Sequence, residues 1–209
     1  MNGKSIATTL DRVMQWVTRL ALLNIFWILF SISGLLIVGI FPATSAALGV
    51  SRKWLTGEHD IKIWKTFKRI FREEFVSSNI IGWILTLLGG LFYLNYRVML
   101  DAGSEIMVII PFAFYLVIFL FLIIVLWVFP LNVHNYASII QQFKNAFIIG
   151  IAKLHITITM MLLLFSIMFF SLDFPVLLFF FTFSLSALVW MWLSLRVFSK
   201  VLDNPKEEL

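Results

Sequence analysis

The chain has 209 residues, of which 61% are hydrophobic and 13% charged, whereas a soluble domain carries about 25% charged residues. So little charge cannot coat a globule of this size, which excludes a soluble cytosolic protein; with 23 Phe and 8 Trp the natural solvent of the surface is lipid. The lack of cysteine excludes disulfides, thiolate metal sites and cysteine nucleophiles.

The 16 Lys and Arg and 11 Asp and Glu fall in clusters. The uncharged gaps between them are long enough for helices crossing hydrocarbon, which takes ~20 apolar residues. The predicted spans are Leu20–Phe41, Ile80–Tyr96, Met107–Phe129, Leu154–Phe170 and Phe174–Leu195. No period-2 alternation recurs at ten-residue intervals, which argues against a membrane β-barrel. The fold class is therefore all-α: a polytopic helical membrane protein with five hydrophobic segments, in a single membrane domain over 1–209.

The first apolar gap, Leu20–Val50, is too long for one crossing. As a helix at ~1.5 Å per residue it would reach about 46 Å, against a core of ~30 Å. It holds Ser31, Ser33, Gly34 and Gly39, then Pro42 and a run of small residues. Pro suits the first turn of a helix, so a second short helix is predicted from Pro42. Two readings stay open. In one, Leu20–Ser33 enters the membrane and Pro42–Trp54 returns as a broken hairpin over 20–54; in the other, a plain first span leaves the N-terminus outside. A cleaved signal peptide fits less well, because the apolar stretch exceeds an h-region. Pro42, Ala43, Thr44, Ser45, Ala47 and Gly49 are candidate helix-packing residues: Ala43/Ala47 and Ser45/Gly49 are small-xxx-small pairs, which let helix backbones approach in lipid.

Residues 60–75 read as a basic amphipathic helix. Trp64, Phe67, Phe71 and Phe75 recur at helical spacing, while Lys62, Lys65, Lys68, Arg69 and Arg72 fall largely on the other faces. Such a helix suits the interface beside anionic lipid. Trp64, Lys65, Lys68, Arg69 and Arg72 are either a topology anchor or a docking surface for a cytoplasmic partner.

Four spans follow over 80–195. Pro130 is expected to kink or end the third span, and residues 131–153 read as a loop. Lys and Arg in short loops mark the cytoplasmic side. Segment 51–79 carries seven of them, the 131–153 loop has Lys144 and Lys153 without an acid, and the tail has Arg196, Lys200 and Lys206. Both loops and the C-terminus are expected to be cytoplasmic. The net charge of +5 is accounted for by these loops and calls for no nucleic-acid partner.

Chemistry-bearing groups are few. Asn24, Asn95 and Arg97 lie in or at the ends of spans, where polar groups are functional candidates; Asn24 is expected to bond another helix rather than a solute. Asp173 reads as a turn residue before Pro175, and His134 and His155 as interfacial polar residues. There is no P-loop, no H-E-x-x-H and no G-x-S-x-G. No catalytic, cofactor or metal site is assigned, and an enzyme is not expected.

The stretch Leu23-Asn24-Ile25-Phe26-Trp27, followed by Gly39-Ile40-Phe41-Pro42-Ala43-Thr44-Ser45-Ala46, resembles the YesL family of bacterial membrane proteins, whose pattern is roughly L-N-x-x-W and then G-x-x-P-A-T-x-A. Asn24, Trp27, Gly39, Pro42, Ala43, Thr44 and Ala46 match it. The sequence departs from it at Gly34, where a Pro-containing segment is common. The basic aromatic segment Ile61–Phe75 follows where the family has one. Members are typically encoded beside binding-protein-dependent sugar importers and polysaccharide-degrading enzymes. The resemblance therefore implies an accessory protein of the bacterial cell membrane in oligosaccharide uptake, with the lipid bilayer and the permease and ATPase subunits of a sugar ABC importer as partners. The alternatives are a stand-alone small-solute transporter or channel using Asn24, Asn95 and Arg97, and a membrane sensor or chaperone.

Overall fold

The computed structural model describes residues 3–101, 109–135 and 137–201. Among these residues there are nine helices and no strand. Five stretches are long and apolar enough to cross a membrane: Thr9–Ser33, Phe75–Leu100, Pro111–His134, Leu154–Asp173 and Thr182–Ser199. The chain is a multi-pass helical membrane protein.

Helices α1 (Gly3–Ser33) and α2 (Ile40–Leu55) form the broken hairpin. Trp27 meets Thr44 near its tip, and Trp16 meets Trp54 edge-on at 5.8 Å near its open end, so the two helices run antiparallel. The turn between them is tight. A Cβ on Gly34 would collide with the Gly39 backbone, Leu36 N–H donates to Ser31 O at 2.9 Å, and Leu35 and Leu36 take left-handed φ values of 55° and 63°. The predicted single first span to Phe41 is thus split, because α1 stops at Ser33 and the chain reverses.

Gly57, at φ +95°, turns the chain toward α3 (Ile63–Glu73), and Glu74 alone separates α3 from α4 (Phe75–Asp101). Helix α5 (Ile109–His134) continues through Pro130 for one more turn, so the expected helix end there is absent. The missing proline N–H removes one bond, and Asn135 N–H still closes on Leu131 O at 2.9 Å.

The 131–153 segment is not a loop. It contains α6 (Ile139–Ala152), started by the Ser138 side chain, which accepts from Gln141 N–H. Helix α6 folds back along α5, where a Cβ on Gly150 would run into Ile123. Helix α7 (Leu154–Asp173) follows. The predicted last span, Phe174–Leu195, is in fact two helices, α8 (Pro175–Phe180) and α9 (Thr182–Val201), broken at Phe181.

Helix α2 lies at the centre, packed on α1, α3, α4, α5 and α9. Its small residues allow this: Ala43, Ala46 and Ala47 are buried beside Leu23, Ile81, Trp127 and Met191 in one hydrophobic core.

Candidate functional site

Two polar constellations interrupt this apolar interior. The first is built on Asn24, which is fully buried on α1 and fills the break between α8 and α9. Its amide nitrogen donates to Leu178 O at 3.3 Å and Phe179 O at 2.7 Å. Its side-chain oxygen accepts from Phe183 N–H at 2.8 Å and Ser184 N–H at 3.1 Å. One side chain therefore caps the last carbonyls of one helix and the first N–H groups of the next, the groups that a helix end leaves without partners. In lipid no water takes that role.

Trp27, one turn along, stacks on Phe183 at 3.7 Å and 16° and donates its indole N–H to Thr44 Oγ1 at 3.2 Å. Thr44 in turn donates to Ile40 O at 2.8 Å. Asn24, Trp27 and Thr44 thus join α1, α2 and the α8–α9 break in a single chain of contacts. Pro42, Ala43, Ser45, Ala46, Ala47 and Gly49 are buried on α2, and Gly39 is buried in the turn. A Cβ on Gly49 would press on Ile70 of α3 and Val133 of α5.

The second constellation joins α2, α4 and α5. Ser78 donates to Ser45 at 2.7 Å, both fully buried. Asn132, 3% exposed, donates to Glu74 at 2.8 Å and to Ser77 at 3.2 Å. Ser77 also donates to the Glu74 carboxylate at 2.8 Å. Glu74 lies on the wall of a cleft of about 190 Å³ that also exposes Arg52, Lys53, Glu58, Arg69 and Glu73. Within the cleft Lys53 pairs with Glu58 at 2.6 Å and Arg69 with Glu73 at 3.8 Å, while Arg52 donates to Val133 O at 3.0 Å.

Helix α3 walls this cleft with one face. Phe67 and Ile70 are buried, Phe67 and Phe71 pack on Phe30 of α1 at 5.0 and 4.9 Å, and Trp64 stays 47% exposed while touching Phe26 and Phe30. The buried face is thus centred on Phe67 and Ile70, one position round from the predicted Trp64–Phe75 stripe. Lys65, Arg69 and Arg72 are exposed and Lys68 is half-buried, its ammonium 5.9 Å from the Trp64 ring.

The remaining candidates are scattered. Asn95 is exposed and bonds Leu91 O in its own helix at 2.9 Å, and Arg97 is exposed on the same helix. Neither joins Asn24. His134 packs on Phe198 at 4.6 Å, while His155 is exposed on α7 and Asp173 is exposed at its last residue. No group of three or more metal-ligating side chains occurs among the described residues. Sequence reasoning missed Ser78 and Asn132. Their signal was weak: polar residues near the start of one span and the end of another, with nothing to say that they face each other.

Residues 20–96, which hold the second half of α1, all of α2 and α3 and most of α4, match the family model described as "Protein of unknown function, DUF624". Three proteins of Bacillus subtilis (strain 168), each named as uncharacterised, are similar over most of their length. YteU is 32% identical over 94% of this chain and 88% of its own length. YesL is 30% identical over 98% of this chain and 96% of its own. The chain belongs to the YesL family. YesV is 29% identical over 88% of both chains. No solved structure matches the chain. In this YesL-family member the motif residues Asn24, Trp27 and Thr44 are the ones that tie α1 and α2 to the broken helix pair, which gives the motif a structural meaning.

Proposed function

We propose that this protein is a non-catalytic accessory subunit of the bacterial cell membrane that works with a binding-protein-dependent ABC importer of oligosaccharides. The carbohydrate context comes from the family resemblance. The observation that carries the reading is how the polar groups are spent. Asn24, Ser45, Ser78 and Asn132 are consumed by bonds between helices. A cluster of exposed charges of both signs lies instead on α3 and the cleft beside it. A solute pathway needs polar groups facing a lumen, whereas a docking surface needs charged groups of both signs around a concave centre.

Topology supports the same reading. The open end of the α1–α2 hairpin, Arg52 on Val133, and His134 on Phe198 bring the basic ends of α1, α2, α5 and α9 together, and the positive-inside rule assigns that end to the cytoplasm. The N-terminus then shares the cytoplasmic side with the C-terminus. Ser51 is fully buried, so the reporters are Thr56→Cys, Ser104→Cys and Ser199→Cys in a chain without native cysteine. An impermeant thiol reagent outside intact cells is expected to label Ser104→Cys alone, and labelling at Thr56→Cys or Ser199→Cys overturns the orientation.

Purification of the tagged protein from its native membrane tests the function. Stoichiometric recovery of an importer's permease and ATPase supports the accessory role, and its loss in an Arg69→Glu, Arg72→Glu variant places the contact on α3. Solute flux through proteoliposomes of the pure protein overturns the reading in favour of a stand-alone transporter.

A further inference from the structure

Helix α1 is long and apolar enough to cross a membrane, yet the contacts of the hairpin with its neighbours fix a smaller depth. Ser45 of α2 meets Ser78 of α4 at 2.7 Å. One turn nearer the tip, Phe41 lies where a Cβ on Gly82 would collide with its ring, and it meets Trp83 at 6.2 Å and Phe129 of α5 at 6.3 Å. The start of α2 is therefore level with Trp83 and Phe129. From that level α4 runs on to Asp101 and α5 reaches back to Ile109, each roughly 27–30 Å further at ~1.5 Å per residue. The tip rises beyond Phe41 by only about 9 Å at the same rise, because Val38 N–H and Ile40 N–H close helical turns onto Gly34 O and Leu36 O. Arg97, the first charge on α4 beyond Trp83, stands about 12 Å further out than the tip.

The two arms of the hairpin give the same depth. Arg19 lies 4.0 Å from the fully exposed Asp60, between α2 and α3, and marks the inner level on α1. The rise from Arg19 to Ser33 is about 21 Å, and from Arg52 back to Ile40 about 18 Å. Neither crosses a hydrocarbon core of ~30 Å. The side chains agree. From Gly34 to Ala43 none is polar, whereas a turn in water favours Asn, Asp and Ser. Leu35, Leu36 and Ile37 are 80%, 55% and 60% exposed. Hydrocarbon supplies no water to a broken helix, so a turn at this depth must close its own bonds. The N–H groups of Gly34, Leu35, Leu36, Val38 and Ile40 all donate to carbonyls of the same hairpin. A partner helix in lipid is met by small residues and hydrogen-bonding side chains, and the tip presents bulky aliphatic ones instead. We infer that α1 and α2 form a re-entrant hairpin whose apolar tip, residues 35–38, ends inside the hydrocarbon core and is covered by lipid acyl chains. Of the five stretches long enough to cross, the first then turns back, and α4, α5, α7 and the α8–α9 pair make the crossings.

This depth holds whichever face is cytoplasmic and does not depend on the docking role of α3. The test uses the full-length chain, which has no native cysteine, reconstituted in liposomes of phosphatidylglycerol and phosphatidylethanolamine. A nitroxide is attached at Leu36→Cys, and its collisions with oxygen, which concentrates in hydrocarbon, are compared with those of a water-soluble nickel chelate. Two references accompany it. Leu87→Cys, 70% exposed on α4 about one turn beyond Trp83, reports a lipid-facing site at the level of the tip. Thr56→Cys, exposed beyond the inner end of α2, reports water. The Leu36 label is expected to match Leu87, with frequent oxygen collisions and a loss of the nickel collisions seen at Thr56. Frequent nickel collisions at Leu36 would place the tip in water and overturn the proposal. A loss of collisions with both reagents would place protein over the tip, in the pure chain a second copy, and would overturn it equally. If Leu36→Cys does not reconstitute, Ile37→Cys, 60% exposed, carries the same test with the same outcomes.

Discussion

Helices α2 and α7 are both apolar, yet they do opposite work. Helix α2 buries ten of its sixteen residues, and most of those are Ala, Ser, Gly, Pro or Val. Helix α7 buries three of twenty, and its outer face is a run of Phe, Leu and Met left exposed. In water the bulky helix would be the core and the small-residue helix the surface. In lipid the logic inverts: bulk gains nothing from leaving one hydrocarbon phase for another, whereas small side chains let backbones and hydroxyls meet. The core of this protein is organised round the helix with the least side-chain mass.

The sharpest way to break that comparison is Asn24→Leu. Asn24 serves four peptide groups at the α8–α9 break, and an orphaned buried group costs ~1–3 kcal/mol in proteins, with smaller values per bond in membranes. The expected loss is about 2–4 kcal/mol, read from SDS-induced unfolding in mixed micelles. A loss below about 0.5 kcal/mol would mean that the break satisfies itself and that the clasp is incidental.

Next in size is the pair that contrasts the two helices directly. Ala47→Leu adds bulk where the side chain is 1% exposed, and overpacking costs ~1–3 kcal/mol. Phe165→Ala removes far more mass from α7, but Phe165 is 67% exposed, so its expected cost stays within about 0.5 kcal/mol. Val117→Leu on α5, where Val117 is 45% exposed, is expected to be equally mild. If Phe165→Ala proves as costly as Ala47→Leu, the outer face of α7 is covered by protein rather than lipid.

Much of this architecture was legible in the sequence. Five apolar segments and the basic helix that follows the first of them follow from where charge falls, and Gly and Pro left the reversal after Ser33 as one of two open readings. Three features were not. Helix α6 was hidden because Gln141, Gln142, Lys144 and Asn145 make its first turns read as a loop; its helical face is defined mainly by α5, on which Gly150 closes. The break at Phe181 was hidden because no Gly or Pro lies between Val176 and Leu195. The partner that stabilises it, Asn24, lies about 155 residues away in the chain. Asn24 was legible as a group bonding another helix, but not which one. The Ser45–Ser78–Asn132 seam was hidden for the same reason: a polar residue in a span announces a partner without naming it.

That seam gives the third prediction. A double-mutant cycle on Ser45→Ala and Ser78→Ala isolates the 2.7 Å bond between two buried hydroxyls. Interhelical bonds in membranes average ~0.6 kcal/mol, so a coupling of about that size is expected from the same unfolding assay. Zero coupling would show that each serine bonds its own helix instead and that α2 and α4 are held by packing alone.

The smallest expected effect lies at the hairpin tip, and its sign carries the information. Leu35 holds φ 55°, a left-handed conformation that costs an L-residue ~1–2 kcal/mol and glycine nearly nothing. Glycine repays part of that through the extra freedom of the unfolded chain, ~0.4–1 kcal/mol. Leu35 is 80% exposed, so little packing within the chain is lost when its side chain is removed. Leu35→Gly should therefore stabilise the protein by about 0.5 kcal/mol. The contrast with α2 explains why evolution could leave strain there: at the tip the side chain meets no neighbour, and its conformation is dictated by the backbone closure of Gly34 on Gly39. A clear destabilisation by Leu35→Gly would mean that the leucine makes a contact this chain alone does not supply. The tip, rather than the charged cleft, would then be where a partner subunit meets the protein.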